Sequence, residues 1–473
     1  MTFGRTIYIV FHILIEYSQE LFVNQLFVLL ACCLLAAAHP AAASRDAAVQ
    51  RMTVKEAVNA ALEQNHLIKA AGYTAEAARQ GIAIATSRYY PGVFFEETFA
   101  ASNAPTQTFM MKLDEGRFSQ DDFQINNLNH PAAHHDFKTA LTIQQPLYDP
   151  STAPLREMAV KDAEKGSLGL EEARQNVAFQ VFRTYLEAQK AAAQHTAAEQ
   201  SLGEARENMR LATVRSGAGI GLKSDELRAR THLATMESRL ISAANNLVLA
   251  QMRLAVAVGN PTGSRIEPAE PFSGFSGAFQ EEELIAAALE SRSDLRQSQA
   301  ELDRSGAAVK LARSAYLPSA GAFASYQMNA ENTPFGSDND AWAAGISLKW
   351  QIFDGFRRCR EKDRANAGRA AATEMLEQSV KEATYQVQES LLRREEMEKR
   401  REVARHALLD AEETVRLLSR RFENSLATMA ELLDAQSALD QTRASLVESE
   451  ANHAMAGGQV YYTSGIFLKE MTK

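Results

Sequence analysis

Two stretches of this 473-residue chain, 155 to 260 and 335 to 473, hold none of its twelve prolines and leave runs of a hundred residues or more with no proline to interrupt a helix. Proline inside a helix removes a donor and clashes with the preceding turn. The same stretches are rich in Ala, Leu, Glu, Gln and Arg, which favour helix. They predict very long helices in place of the roughly three average domains that length alone suggests.

The helices carry coiled-coil seams. Leu408, Ala411, Val415, Leu418 and Phe422 recur at spacings of 3, 4, 3 and 4, and Leu432, Ala435, Leu439, Thr442 and Leu446 repeat that rhythm. The register breaks across Glu423 to Thr428, which predicts a helical hairpin with a tight turn at Asn424 and Ser425. A hairpin tip lacks packing partners on one side, so it is an end of the molecule and a candidate contact surface.

The chain is duplicated. Ala85, Ser87, Tyr89 and Pro91 recur 227 residues on as Ala312, Ser314, Tyr316 and Pro318, and Leu147-Tyr148-Asp149 recurs 205 residues on as Ile352-Phe353-Asp354. Leu227, Ala229 and Gly259 recur 206 residues on as Leu433, Ala435 and Gly465. Near-constant offsets over long helices mark an internal repeat. The change of offset places 22 extra residues (227 less 205) in the first copy, within the polar segment Asn103 to His135.

Each copy also predicts two strands. Trp342, Ala344, Ile346, Leu348, Trp350 and Ile352 alternate with small and polar residues, the period of two of a strand with one apolar face. Phe137, Thr139, Leu141, Ile143 and Leu147 do so in the first copy. Trp342 and Trp350 stand roughly 26 Å apart at about 3.3 Å per residue, the height of a membrane barrel's apolar band between its aromatic girdles. Four strands cannot close a barrel, so the chain must pool strands with copies of itself. Eight strands from two chains or twelve from three remain open on this count. The 70 residues from Asp149 to the turn near Gly219, and the 71 from Asp354 to Ser425, predict helical bodies of about 105 Å. Asp149 and Asp354 are expected to cap helices beginning at Pro150 and Gly355.

The formal charge of -9 argues against nucleic acid as a partner. The basic run from Arg393 to Arg405 is interleaved with glutamates and reads as a solvated helix face. Leu26 to Ala38 is an apolar run ending near three alanines, which predicts a secretory signal cleaved after Ala43. The sequence upstream, with acidic Glu16 and Glu20, is unusual for a signal and fits a start assigned too far upstream. Leu29-Leu30-Ala31-Cys32 weakly resembles a lipoprotein signal, although apolar residues continue beyond it. Cleavage leaves Cys359 as the one thiol, excluding a disulfide within one chain. No catalytic constellation or phosphate loop is present, so an enzyme and a cofactor are not expected. His130, His134 and His135 are read as exposed loop residues in preference to metal ligands.

In order and spacing, the duplicated pattern from Thr53 to Gly465 resembles the TolC family of outer membrane efflux proteins. The resemblance implies a mainly α fold with membrane β: long antiparallel helical hairpins forming a periplasmic α-barrel, and four strands per chain pooled into a trimeric 12-stranded outer-membrane β-barrel. It divides the chain into a signal peptide at 1–43, helices at 44–88, a β-hairpin with a long outer loop at 89–149 and a helical hairpin at 150–260. A linker at 261–279 leads to the second copy, with helices at 280–316, a β-hairpin at 317–354, a helical hairpin at 355–458 and a tail at 459–473.

The implied partners are two further copies, outer-membrane lipids, a periplasmic membrane-fusion adaptor and an inner-membrane pump of the resistance-nodulation-division or ABC type. The family's turn motif falls on Arg215, Gly219, Ile220 and Gly221 and on Arg421, Phe422, Ser425, Leu426 and Ala427, which become adaptor-binding candidates. Ser425 stands where the family has glycine, so the second turn is expected to differ in shape. Asp225, Glu431 and Asp434 match the family's acidic residues near the closed end of the tunnel and are gate candidates, although carboxylates near a helix start are also favoured by the helix dipole. Trp342 and Trp350 are the girdle candidates. The competing function is a periplasmic coiled-coil scaffold without a pore. Efflux of a drug, metal or small molecule and secretion of protein are the alternatives for its cargo.

Overall fold

In a computed structural model that describes residues 49–270 and 280–472, the proline-free stretches form two very long helices, each followed by a shorter return helix. The expected signal peptide and Cys32 lie outside the described residues, as does the linker segment 271–279. The elements are β1 (Val49–Met52), α1 (Val54–Gln64), α2 (His66–Thr86), β2 (Gly92–Ser102), α3 (Pro105–Asp114), α4 (Ile125–Asn129), β3 (His134–Tyr148), α5 (Thr152–Gly217), α6 (Lys223–Val258) and β4 (Arg265–Pro268). The second copy supplies α7 (Glu281–Ser291), α8 (Ser293–Ser314), β5 (Ser319–Ala330), β6 (Asn339–Lys349), α9 (Arg357–Glu423), α10 (Met429–Thr463) and α11 (Phe467–Thr472).

The hairpins are lopsided. α5 and α9 have 66 and 67 residues, about 100 Å at 1.5 Å each, whereas α6 and α10 have 36 and 35. Over the half nearest the turns, helices pack in the order α6, α5, α10, α9. Over the other half α2 and α8 replace the return helices, giving α2, α5, α8, α9. Each half is therefore a layer of four helices. The interface of α5 with α8 is laced with ion pairs, Lys161 with Asp303 at 2.9 Å, Arg304 with Asp162 at 2.7 Å and Lys310 with Glu157 at 2.7 Å. Exposed pairs of this kind contribute little each.

The main core lies midway along the helices. Ala57, Val58 and Ala61 of α1 pack with Val181 and Tyr185 of α5, Leu254 and Val258 of α6, Ile266 of β4 and Phe467 of α11. Thr53 begins α1 with the expected cap, its hydroxyl accepting from the Glu56 amide at 3.2 Å while Glu56 accepts from the Thr53 amide at 2.8 Å. Asn65 ends it, donating to Ala257 O at 2.8 Å and accepting from the Leu67 amide at 2.8 Å.

Several boundaries differ from the sequence reading. α5 and α9 start two residues later than expected, because Asp149 and Asp354 hold the turns just ahead of them: Asp149 accepts from the Ser151 amide at 2.9 Å, and Asp354 from the Arg358 amide at 3.0 Å. The loop 103–133 contains two short helices. α10 runs on to Thr463, and the expected tail 459–473 includes α11, whose Phe467 is fully buried.

β1 pairs with β4 in a two-stranded sheet, and the other four strands form an antiparallel sheet in the order β2, β3, β5, β6. β2 and β6 are its edges, and β6 runs antiparallel to β2.

Candidate functional site

The sheet has two faces of opposite character, fixed by register. Phe95, Leu141, Tyr326 and Trp342 align across the four strands, as do Val93, Ile143, Ala324 and Ala344. On the reverse face Thr98 aligns with Lys138 and Asn329, and Thr142 with Ser325. Trp342 thus sits in a row of large side chains near one end of the strands. Trp350 lies just past β6, where its indole N–H donates to Tyr316 O at 3.1 Å, and Ile352 is also beyond the strand. Both tryptophans are exposed on the single chain.

At the far end of the helices the two turns meet. In the first, the Ile220 and Gly221 amides donate to Arg215 O at 3.1 and 3.0 Å, and Gly219 has φ 76°. In the second, the Leu426 amide donates to Arg421 O at 2.7 Å, and Ser425 has φ 62°. These are the same turn, 206 residues apart, so the expectation of a different shape at Ser425 is not met. The serine adopts the left-handed conformation at a cost of about 1–2 kcal/mol. Gly221 has a separate reason to lack a side chain, since a Cβ there would lie 2.9 Å from Arg215 Cβ.

Arg215 joins the turns. Its Nη1 donates to Phe422 O at 2.8 Å and Glu423 O at 3.1 Å, its Nη2 donates to Ser425 Oγ at 2.6 Å, and its guanidinium lies 4.8 Å from the centre of the Phe422 ring. Beneath them Ala212, Ala229, Phe422, Met429 and Leu432 form a small core, with Ala427 packed against it. Ile220 and Leu426 project outward and are about 70 % exposed. Arg421 reaches Leu426 O at 3.4 Å.

The three acidic candidates are in different situations. Glu431 closes a capping box with Thr428, accepting from its amide at 2.7 Å and its hydroxyl at 2.9 Å, which holds its carboxyl below the ordinary range. Asp434 is exposed and Asp225 half-buried, and neither forms an ion pair among the described residues. Sequence reasoning passed over Glu226, which is buried beside Asp225 and clamped by Lys223 at 2.7 Å and Arg230 at 2.9 Å. The spacing 223, 226, 230 was the signal that could have found it. It also passed over a polar seam farther along the helices, where Arg443 donates to both Glu204 oxygens at 3.0 and 3.1 Å and Ser201 donates to Asp440 at 2.6 Å. Its members come from α5 and α10, so no single stretch displays it.

Of the loop histidines, His134 is buried and bonded through Nε2 to Glu115 at 2.8 Å, against the expectation of exposure, while His130 is exposed. No group of metal-ligating side chains is arranged to hold an ion among the described residues. Cys359 is a free, exposed thiol.

A duplicated chain of long helices with a four-stranded, two-faced sheet is matched by the sequence model described as "Outer membrane efflux protein", over residues 57–260 and 284–461. The chain belongs to the outer membrane efflux protein family. Nodulation protein T of Rhizobium leguminosarum bv. trifolii is 23% identical over 280 residues, 57% of this chain and 58% of that protein. The match thus spans just over half of that relative's length. Among solved structures, CusC superposes with a TM-score of 0.73 at 17% identity, covering 91% of this chain and 95% of that one. The CmeC outer membrane channel of Campylobacter jejuni gives 0.71 at 16%, covering 89% of each chain. The open-state MtrE outer membrane channel of Neisseria gonorrhoeae gives 0.71 at 18%, covering 89% and 90%. At such identities these likenesses concern the fold. As a member of this efflux channel family the protein is located in the outer membrane, extends into the periplasm and is not an enzyme.

Proposed function

We propose that three copies of this chain close into one tunnel, with twelve strands in the outer membrane and the helical layers continuing it across the periplasm, and that the tunnel is the exit duct of an export system. The observation that carries this reading is the pair of unpaired sheet edges. In lipid an open edge leaves backbone groups without partners. β6 of one copy is antiparallel to β2 of the next, so head-to-tail addition closes a ring without reversing any strand. The helical layers end in the same order as the sheet, with α9, which follows β6, at one edge and α2, which precedes β2, and α6 at the other, and they carry exposed Leu392, Val403 and Leu409 on one side and Tyr73, Ile241 and Leu249 on the other. Three in preference to two follows the family resemblance.

In this reading the apolar sheet face meets lipid, Trp342 and Trp350 sit in its girdles, and the polar face lines the pore. The joined turns lie about 100 Å away, where Arg215, Gly219, Ile220, Gly221, Arg421, Phe422, Ser425, Leu426 and Ala427 form the end that docks on a periplasmic adaptor. The exposed Ile220 and Leu426 supply apolar anchors there. An inner-membrane pump of the resistance-nodulation-division or ABC type supplies the energy. Asp225 and Asp434 form threefold acidic rings near this end, and Glu431 caps the start of the helix that carries Asp434. A scaffold without a pore would have no use for a lipid-facing sheet.

The test uses a Cys359→Ser background with single cysteines stepped along β6 and β2. Oxidation of outer membranes should give a cross-linked trimer from at least one pair, and unboiled samples should migrate as a heat-modifiable trimer. Monomers throughout, with protein in the soluble periplasmic fraction, would remove the duct reading.

A further inference from the structure

At the base of the sheet, where the strands join the helices, the polar face holds a cavity of about 650 Å³. Its lining includes Arg88, Phe94, Gln144, Phe323 and Lys349. Phe94 and Phe323 are unusual occupants of a polar face, and each is accommodated by a glycine. A Cβ on Gly92 would lie 3.0 Å from the Phe94 ring, and one on Gly345 would lie 2.9 Å from the Phe323 ring. Both rings therefore lie over backbone that carries no side chain, presenting aromatic surface along the wall.

Two cations flank them. Lys349 occupies the polar-face position opposite Ser319, and Arg88 stands in the turn before β2, which Gln145 ties to β3 by donating to Tyr89 O at 3.0 Å. Neither cation forms an ion pair within 4 Å among the described residues, and both are exposed. The one carboxylate in the lining, Asp149, spends an oxygen on the Ser151 amide and hydroxyl, at 2.9 and 2.7 Å. Two cations against one anion leave this wall positive by one charge in a chain whose formal net charge is -9.

We propose that this cavity is a transit site for organic anions with an aromatic or apolar body. Arg88 and Lys349 hold the anionic group, Phe94 and Phe323 take the ring, and the amide of Gln144 is available to a further polar substituent. The assignment rests on the reading that the polar face lines the pore. Three copies put six cations in one ring, and field focusing in a narrow, low-dielectric tunnel then favours anions over cations of the same size. A site used in passage must also release its occupant, which suits exposed groups that bind weakly.

The experiment is equilibrium dialysis of radiolabelled 2-naphthoate against the purified full-length protein in dodecyl maltoside, with unboiled gels of the same samples reporting the trimer. Wild-type trimer should bind 2-naphthoate saturably at millimolar concentration and prefer it to the neutral 2-naphthamide. The Arg88→Gln/Lys349→Gln trimer should bind about tenfold more weakly, and Phe94→Ala/Phe323→Ala should lose the preference for 2-naphthoate over acetate. Wild-type trimers with no saturable binding, or charge-neutral trimers that bind as wild type does, overturn the transit site while leaving the duct reading intact. Absence of the trimer itself removes the duct reading and this site with it.

Discussion

Replacing Arg215 with alanine should uncouple the two turns at the far end of the helices. The side chain makes three hydrogen bonds across to the second turn, two to carbonyl oxygens and one to Ser425, and stacks its guanidinium on Phe422. A hydrogen bond from a charged donor contributes about 1.5–3 kcal/mol when well buried. Arg215 is only half-buried, so solvent reduces each bond toward the low end, and the three share one side chain and do not add. The ring contact contributes about 0.5–1 kcal/mol at such a site. A net coupling of about 3 kcal/mol follows, roughly a hundredfold in the equilibrium between joined and separated turns. Hydrogen exchange followed by mass spectrometry on the peptide spanning 420–428 reads this directly, because the Ser425 and Leu426 amides are bonded within that turn. Exchange there should accelerate by one to two orders of magnitude in Arg215→Ala and by less in Arg215→Lys, which keeps a charge without the fork. Peptides of the midway core should be unchanged. Exchange at 420–428 within threefold of wild type would refute the coupling.

Three further outcomes follow from the structure. Ser425→Ala should destabilise the second turn by about 1 kcal/mol, since it loses the Arg215 bond and keeps the left-handed conformation, whereas Ser425→Gly should be close to neutral because relief of φ offsets the lost bond; the same exchange measurement separates them. Burial lifts the Glu115 carboxyl above its ordinary range despite the opposing bond from His134. Its contribution to holding the outer loop is therefore full at low pH and lost as pH rises through the raised folded value. Glu115→Gln should accordingly slow tryptic cleavage after the exposed Arg117 at pH 8 relative to wild type; equal rates would count against the burial argument. Gly458→Ala should lower the melting temperature, because its Cβ would fall 2.2 Å from the buried Phe182 ring and overpacking of this kind costs about 1–3 kcal/mol; an unchanged melting curve would show that the ring moves freely.

The long helices, the duplication and the two-faced sheet were legible because each writes a period into contiguous residues: 3 and 4 along the seams, 2 along the strands, 206 between copies. The left-handed turn at Ser425 was legible in position and misread in shape, since the neighbouring backbone bonds, which serine can also make, decide the conformation. What stayed hidden depends on partners distant in sequence. Arg215 could be matched to a motif, but its bonds are to residues more than 200 positions away. Glu115 and His134 lie in a segment with no period, and burial there comes from two short helices folding back. Replacement of the return helices by α2 and α8 halfway along the body was likewise unreadable, because seam spacing does not say which helix fills the seam.

Phe467 and Met471 of α11 occupy the same core as Ala57 and Val58 of α1, with about 400 residues of chain between them. Loop closure over such a separation places this contact late in any folding order. Synthesis and export deliver the chain from its N-terminus, so the first copy waits with one wall of its core missing until the last helix arrives. Until then Ala57 and Val58 lack part of their packing, and the core of the first copy closes only once the entire chain has been released.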